Sequence, residues 1–241
     1  MDSPELPRPL VVGHRGAAAH APENTLASFE RALADGADLL ECDVHLSADG
    51  HVMVIHDETI DRTAEESSPL RTGAIADLTL AQLRTVRVGA GEGIPTLPEL
   101  FALTTVPLFL EVKVPEAARE VARLLAELPA QHPAATSTVI SFHAEAVAGV
   151  REMRPGTPVS LLVKRLDEAA IAAAADIGAD AVGPWIGSVS LAGVRFAREA
   201  GFAVNPWTVN TADALAIALA CGVETITSDD PGWVRAELAA R

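Results

Sequence analysis

Short apolar runs alternate along the chain with longer segments rich in alanine, leucine, glutamate and arginine. The runs, such as LVVGH at 10–14 and PLFLEVK at 107–113, are typical of strands buried on both faces. The segments between them carry helix start signals, among them Asn24 and Asp167. Such an alternation of strands and helices predicts an α/β fold built on a parallel sheet.

Eight strands and seven helices are predicted in this alternation. The strands span residues 10–14, 39–45, 107–113, 137–141, 158–163, 180–184, 202–207 and 223–227. The helices span residues 25–35, 116–128, 144–152, 167–176, 190–199, 211–220 and 230–239. Eight strands in 241 residues favour a (β/α)8 TIM barrel that forms a single domain over 1–241, with a doubly wound open sheet as the alternative.

One interruption breaks the alternation, between about Leu46 and Thr105. SADG at 47–50 predicts a hairpin turn that joins the second strand to the run HVMVIHD. The remaining stretch is too long for a plain connection between a strand and a helix. We therefore expect a small insertion after strand 2, at about residues 58–98, that covers the carboxyl-terminal face of the barrel.

The charge balance narrows the classes of partner. Lysine and arginine number 18 against 33 aspartates and glutamates, which gives a net charge of −15 and argues against a nucleic-acid partner or a stable membrane association. A small anionic substrate is still compatible, because distant charges are screened. Cys42 and Cys221 form no metal-binding spacing, and the terminus MDSPELPRPL has no apolar signal core. A cytoplasmic location is expected, and a homodimer is left open.

Acidic residues cluster where two neighbouring strands are predicted to end. Alternate positions of a strand share a face, so Glu41 and Asp43 point the same way, and Glu111 and Lys113 repeat this arrangement. Three carboxylates at one barrel mouth repel one another unless a cation compensates, and ligands that are all oxygen suit Mg²⁺ or Ca²⁺. Ordinary rim charges paired with lysine or arginine are the alternative.

Two histidines at strand ends, His14 and His56, supply the proton transfers that cleavage of a phosphodiester requires. Three carboxylates with one dication leave a net charge of −1, so phosphate binding needs further positive groups. Arg15 and Lys113 lie in the right positions to supply them. His45 shares a face with the acidic residues, and we assign it a place at the rim rather than in catalysis.

Several segments, taken in order, resemble the glycerophosphodiester phosphodiesterase family within the wider group of phosphodiesterases like phosphatidylinositol-specific phospholipase C. They are VVGHRGAAAHAPENTLASFERALADGAD, LLECDVHLSADGHVMVIHDETIDRT, GIPTLPEL, LFLEVK, ISF, NPWTVN and ITSDDP, and they extend from residue 11 to residue 231. The resemblance implies a barrel with a small insertion after strand 2. It also implies roles for ten residues: catalysis by His14 and His56, metal binding by Glu41, Asp43 and Glu111, substrate binding by Arg15, Lys113 and Trp207, and support by Glu23 and Asn24. A helix cap is the alternative role for Asn24.

The resemblance implies an enzyme of lipid and glycerol metabolism. It would hydrolyse glycerophosphodiesters such as glycerophosphocholine or glycerophosphoethanolamine to glycerol 3-phosphate and an alcohol, with Mg²⁺ or Ca²⁺. A lysophospholipase D-like activity and a catalytically inactive phosphodiester-binding module are the alternatives. The run AEESSPLRTG departs from the family pattern, and Trp185 either adds an aromatic wall to the pocket or packs on the rim.

Overall fold

The computed structural model describes residues 8–240 of the chain. The strands are β1 (Leu10–Gly13), β2 (Leu39–Leu46), β3 (Val52–Val54), β4 (Leu108–Val112), β5 (Thr138–Ser141), β6 (Val159–Val163), β7 (Ala181–Pro184), β8 (Ala203–Val204) and β9 (Thr225–Ser228). The helices are α1 (Leu26–Ala34), α2 (Leu80–Leu83), α3 (Leu97–Leu103), α4 (Ala118–Glu127), α5 (Ala144–Met153), α6 (Glu168–Asp176), α7 (Leu191–Glu199), α8 (Ala212–Cys221) and α9 (Pro231–Ala239). Within residues 8–240, no helix has the length and apolar character needed to cross a membrane.

Eight of the strands form a nearly closed parallel barrel. Their order is β8-β7-β6-β5-β4-β2-β1-β9, with every neighbouring pair parallel. Between the two outer strands of this order, the amide of Glu224 donates to the carbonyl of Val204 at 3.2 Å. The predicted (β/α)8 barrel is therefore confirmed. Strand β8 is shorter than the predicted 202–207 because Pro206 has no amide hydrogen to offer a neighbouring strand.

The apolar side chains divide into an outer layer and a barrel interior. Outward-facing residues such as Cys42 and Val44 pack beneath the helices, as the period of two predicts. A smaller cluster fills the barrel axis and consists of Val12, Leu39, Phe109, Ile140 and Leu162. Above this cluster, the inward faces carry polar side chains, so the functional groups lie at the carboxyl ends of the strands.

The interruption between β2 and β4 begins with a hairpin and has its own apolar cluster. Strand β3 pairs antiparallel with β2, which fits the predicted turn at residues 47–50. The cluster consists of Met53, Ile55, Ile60, Ile75, Leu78, Leu83, Val86 and Ile94. Helix α3 was absent from the predicted elements, although Thr96 and Glu99 form a reciprocal capping box at its start.

Candidate active site

A tight turn after β1 brings the side chains of His14 and Arg15 to the barrel mouth. Arg15 has a φ of 51° and Gly16 a φ of 86°. A Cβ atom at position 16 would lie 2.4 Å from Ser28 Oγ, so only glycine fits against α1 here. The turn is anchored where the amide of His14 donates to the carbonyl of Ser228 at 2.9 Å.

Three buried carboxylates form the centre of the site. The register of β2 and β4 places Asp43 directly beside Glu111, and Glu41 lies two residues earlier on the same face. Glu41 and Asp43 are 3% and 1% exposed. One carboxylate oxygen from each of the three residues lies within 4.8 Å of the others. The structure therefore brings together the three predicted metal ligands.

Lysine and arginine partly balance this negative charge. Lys113 Nζ donates to Glu111 Oε1 at 2.7 Å and lies 3.3 Å from Asp43 Oδ1. Arg15 Nε lies 3.2 Å from Asp43 Oδ2, and the Arg15 amide donates to Glu41 Oε2 at 2.9 Å. Both predicted phosphate-binding cations thus contact the carboxylates directly.

The pKa values of the carboxyl groups show that the two basic side chains only partly offset the negative charge of the cluster. Burial, followed by the charge of Asp43, raises the pKa of Glu41 to about 8. Burial and Asp43 also raise the pKa of Glu111. Burial alone would raise the pKa of Asp43 too, but Lys113 and Arg15 hold it below its usual range. The cluster therefore has more negative charge than its own basic residues neutralise.

The imidazole of His14 contacts the carboxylate of Asp229, which directly follows β9. Its Nδ1 lies 2.5 Å from Asp229 Oδ1, and its Nε2 lies 3.9 Å from Glu41 Oε2. Asn210 in turn donates its amide to Asp229 Oδ2. Burial alone would lower the pKa of His14, but the hydrogen bond to Asp229 and the charge of Glu41 outweigh it and raise that pKa.

His56 has a similar partner of its own. Its Nδ1 lies 2.6 Å from Asp57 Oδ1, which leaves Nε2 as the nitrogen free to meet a substrate. His45 is buried, and its Nε2 lies 3.0 Å from the backbone carbonyl of His56. His45 thus contacts the backbone that carries His56.

Glu23 and Asn24, in the loop before α1, contact side chains of the site. Glu23 Oε1 accepts from Arg15 Nη1 at 3.0 Å. Asn24 Nδ2 donates to Asp43 Oδ2 at 2.8 Å. The helix-cap alternative for Asn24 is wrong, because Thr25 is the cap residue and its side chain accepts from the amide of Ser28. Asn24 instead uses its side chain to orient a carboxylate.

A cavity of about 110 Å³ opens beside the carboxylates. Its polar side is lined by His14, Arg15, Glu41, His56, Glu111 and Lys113. Its apolar side includes Phe142 and Trp207, whose rings meet edge to face with centroids 5.4 Å apart. The indole nitrogen of Trp207 donates to the carbonyl of Gly183 at 2.8 Å, which fixes the ring. Trp185 is 51% exposed and is not among the residues that line this cavity.

The carboxylate cluster has the chemistry of a divalent-metal site. Glu41 Oε1 is buried and has no hydrogen-bond partner among the described residues. Such an atom is costly to bury unless a cation or a donor meets it. This unpaired oxygen and the three converging carboxylates make a donor set that fits Mg²⁺ or Ca²⁺ better than zinc, because no sulfur or imidazole ligand belongs to the cluster.

Metal-free protein is expected to lose thermal stability as the pH rises from about 4.5 towards 8. The sign follows from the raised pKa of Glu41, because the folded protein binds this proton more tightly than the unfolded chain does. Glu41→Gln carries no charge there, so its melting temperature in EDTA should fall less over the same range. Thermal denaturation at stepped pH measures the difference, and equal pH slopes for the two proteins would contradict the assigned burial of this charge.

The sequence did not indicate three residues whose side chains form hydrogen bonds around the predicted site residues. Asp57 and Asp229 contact the two histidines, and Arg62 of the inserted segment contacts both Asp57 and Glu23. Asp57 and Arg62 lie within HDETIDRT, and Asp229 lies within ITSDDP. Both segments belong to the family resemblance, but no local pattern within them indicates which distant side chain each residue contacts.

The comparisons with known proteins agree with this geometry. The profile of the Glycerophosphoryl diester phosphodiesterase family matches residues 14–233. The chain is 35% identical to the probable glycerophosphodiester phosphodiesterase 1 of Mycobacterium tuberculosis, in an alignment that covers 95% of this chain and 92% of that protein. It is 32% identical to a glycerophosphodiester phosphodiesterase of Caldanaerobacter subterraneus, covering 92% of this chain and 94% of that protein. It superposes with a TM-score of 0.86 on an Oleispira antarctica phosphodiesterase solved in complex with the product sn-glycerol-3-phosphate, at 25% identity and covering 96% and 97% of the two chains.

Proposed function

The chain belongs to the glycerophosphoryl diester phosphodiesterase family of phosphoric diester hydrolases, and we propose that it hydrolyses glycerophosphodiesters to glycerol 3-phosphate and an alcohol. Glycerophosphocholine and glycerophosphoethanolamine are the proposed substrates. One observation carries the proposal: two histidines, two carboxylates of the buried cluster and two basic side chains line the same cavity. This is the set of groups that phosphodiester hydrolysis at neutral pH requires.

Glu41, Asp43 and Glu111 would hold a divalent cation. A bound Mg²⁺ or Ca²⁺ supplies positive charge that stabilises the charge developing on the phosphate oxygens. Three ionised carboxylates, Lys113, Arg15 and a dication would together give the centre a net positive charge. A phosphodiester anion is then attracted to the cavity, and Arg15 can bind its oxygens with two donors.

The two histidines divide the proton transfers between them. One accepts the proton of the glycerol 2-hydroxyl as that oxygen forms its bond to phosphorus. The other donates a proton to the oxygen of the departing alcohol as the bond from that oxygen to phosphorus breaks. Water then opens the resulting cyclic phosphate with the proton roles reversed. The Nδ1 contacts to Asp229 and Asp57 support this division, because they leave the Nε2 atoms to serve the substrate.

Release of glycerol 3-phosphate tests the proposal directly. Purified protein with Mg²⁺ or Ca²⁺ is expected to release it from glycerophosphocholine and from glycerophosphoethanolamine, as followed with glycerol-3-phosphate dehydrogenase. The His14→Ala/His56→Ala double variant is the matched blank. Lysophosphatidylcholine, assayed for choline release, separates the lysophospholipase D-like alternative. Binding of glycerophosphodiesters with no product release would instead identify an inactive binding module.

A further inference from the structure

Arg62 joins two sides of the active site without lining its cavity. The residue lies in the inserted segment, and its guanidinium contacts two carboxylates. Nε and Nη2 donate to the two oxygens of Asp57 at 2.6 and 3.0 Å. Nη2 and Nη1 donate to the two oxygens of Glu23 at 2.6 and 3.1 Å. Among the residues that line the cavity, Arg62 does not appear.

Each of these carboxylates also holds a side chain of the cavity. Asp57 Oδ1 lies 2.6 Å from Nδ1 of His56, and Glu23 Oε1 accepts from Nη1 of Arg15 at 3.0 Å. The contacts therefore run in one continuous path from His56 to Arg15. One end of this path, His56, lies between β3 and the insertion, and the other end, Arg15, lies in the turn after β1.

The contacts of Arg62 are poorly suited to stabilising the fold. Its side chain is 50% exposed, and those of Asp57 and Glu23 are 25% and 24% exposed. Exposed ion pairs contribute little to stability, because water and salt screen them. Planar two-pronged contacts do, however, fix the orientation of a carboxylate more tightly than a single donor would.

We propose that Arg62 is a positioning residue that fixes Asp57 and Glu23, and through them orients His56 for proton transfer and Arg15 for phosphate binding. This inference rests on the proposed function and adds to it a role for the inserted segment. It assigns the insertion a part in catalysis, although Arg62 itself does not line the cavity.

The ionisation of the two carboxylates agrees with this role. Hydrogen bonds from Arg62, followed by the one to His56, hold the pKa of Asp57 well below its usual range. Burial alone would raise the pKa of Glu23, but the donors of Arg62 and Arg15 lower it. Both carboxylates therefore stay ionised at neutral pH and keep accepting from both of their partners.

Arg62→Gln tests the proposal in the glycerophosphocholine assay. We expect kcat to fall by about 10- to 100-fold, the scale on which residues that orient functional groups act, with a smaller rise in KM because Arg15 keeps its contact with Asp43. Arg62→Lys keeps the charge but not the planar fork, so it should restore only part of the loss. This second variant also keeps the test valid if Arg62→Gln folds poorly, as judged by its melting temperature.

A double-variant cycle separates positioning from a general loss of structure. If Arg62 acts through the two carboxylates, adding Arg62→Gln to Asp57→Asn/Glu23→Gln should change kcat/KM by less than about 2-fold. Arg84→Gln, which removes another exposed ion pair of the inserted segment, serves as the matched control and should keep wild-type kinetics.

Two outcomes would overturn the inference while leaving the proposed function intact. One is wild-type turnover, within about 2-fold, in Arg62→Gln. The other is a full additional loss when Arg62→Gln is added to the Asp57 and Glu23 variants. A wild-type protein that releases no glycerol 3-phosphate would instead remove the proposed function itself, so the two failures can be distinguished.

Discussion

Removal of divalent metal is expected to lower the rate of glycerol 3-phosphate release by at least ~10³-fold, with recovery on addition of Mg²⁺ or Ca²⁺. Stabilisation of developing charge by a bound cation amounts to several kcal/mol, and about 4 kcal/mol corresponds to about a thousandfold in rate. Without the ion, the same carboxylates repel the phosphodiester that they otherwise help to bind. The assay compares protein treated with EDTA and then dialysed with the same protein after metal addition.

Glu41→Gln provides the control for this experiment. The substitution keeps the size of the side chain but removes one ligand charge, so half-maximal activity should need at least about 10-fold more metal. Glu41 is the informative choice because one of its oxygens is buried without a hydrogen-bond partner among the described residues. Full activity after exhaustive chelation, with metal content measured on the same sample, would exclude the assigned metal site.

The second large effect on the reaction rate is expected when either of the two histidines is replaced. His14→Ala and His56→Ala should each lower kcat by at least ~10²-fold, which is the usual scale for a general acid or base. Because the two residues act in one reaction, the double variant should be far less impaired than the product of the single effects predicts. Rates at saturating glycerophosphocholine, together with melting temperatures, measure these effects.

His20→Ala and His51→Ala are the matched controls, since both histidines lie outside the cavity. They should retain kcat within about 2-fold. Near wild-type turnover in His14→Ala or His56→Ala would remove that histidine from the proposed proton transfers, even if the metal requirement held.

The parts of the site that follow strand geometry could be predicted from the sequence. Glu41 and Asp43 lie two residues apart in a strand-like run, and strand alternation alone puts them on one face. Parallel strands end at the same edge, so residues 111 and 113 were expected beside them. These inferences needed only the period of the strand and the direction of the sheet.

The parts that depend on contacts between distant segments could not be predicted. Asp229 meets His14 across 215 residues of sequence, and Arg62 meets Glu23 across 39. No periodicity within either segment specifies such a pairing. Asn24 shows the opposite error, because its residue type is a favoured helix cap, yet the neighbouring Thr25 takes that role and frees Asn24 to bind Asp43.

The pairing of the first and last barrel strands has a consequence for biosynthesis. Strand β1 carries the turn with His14, and its partner β9 leads into Asp229. The ribosome makes Asp229 only after it has added 215 residues beyond His14. A growing chain can therefore build most of the sheet while its first histidine has no carboxylate to orient it. The site of His14 is therefore complete only after β9 has been made and pairs with β1.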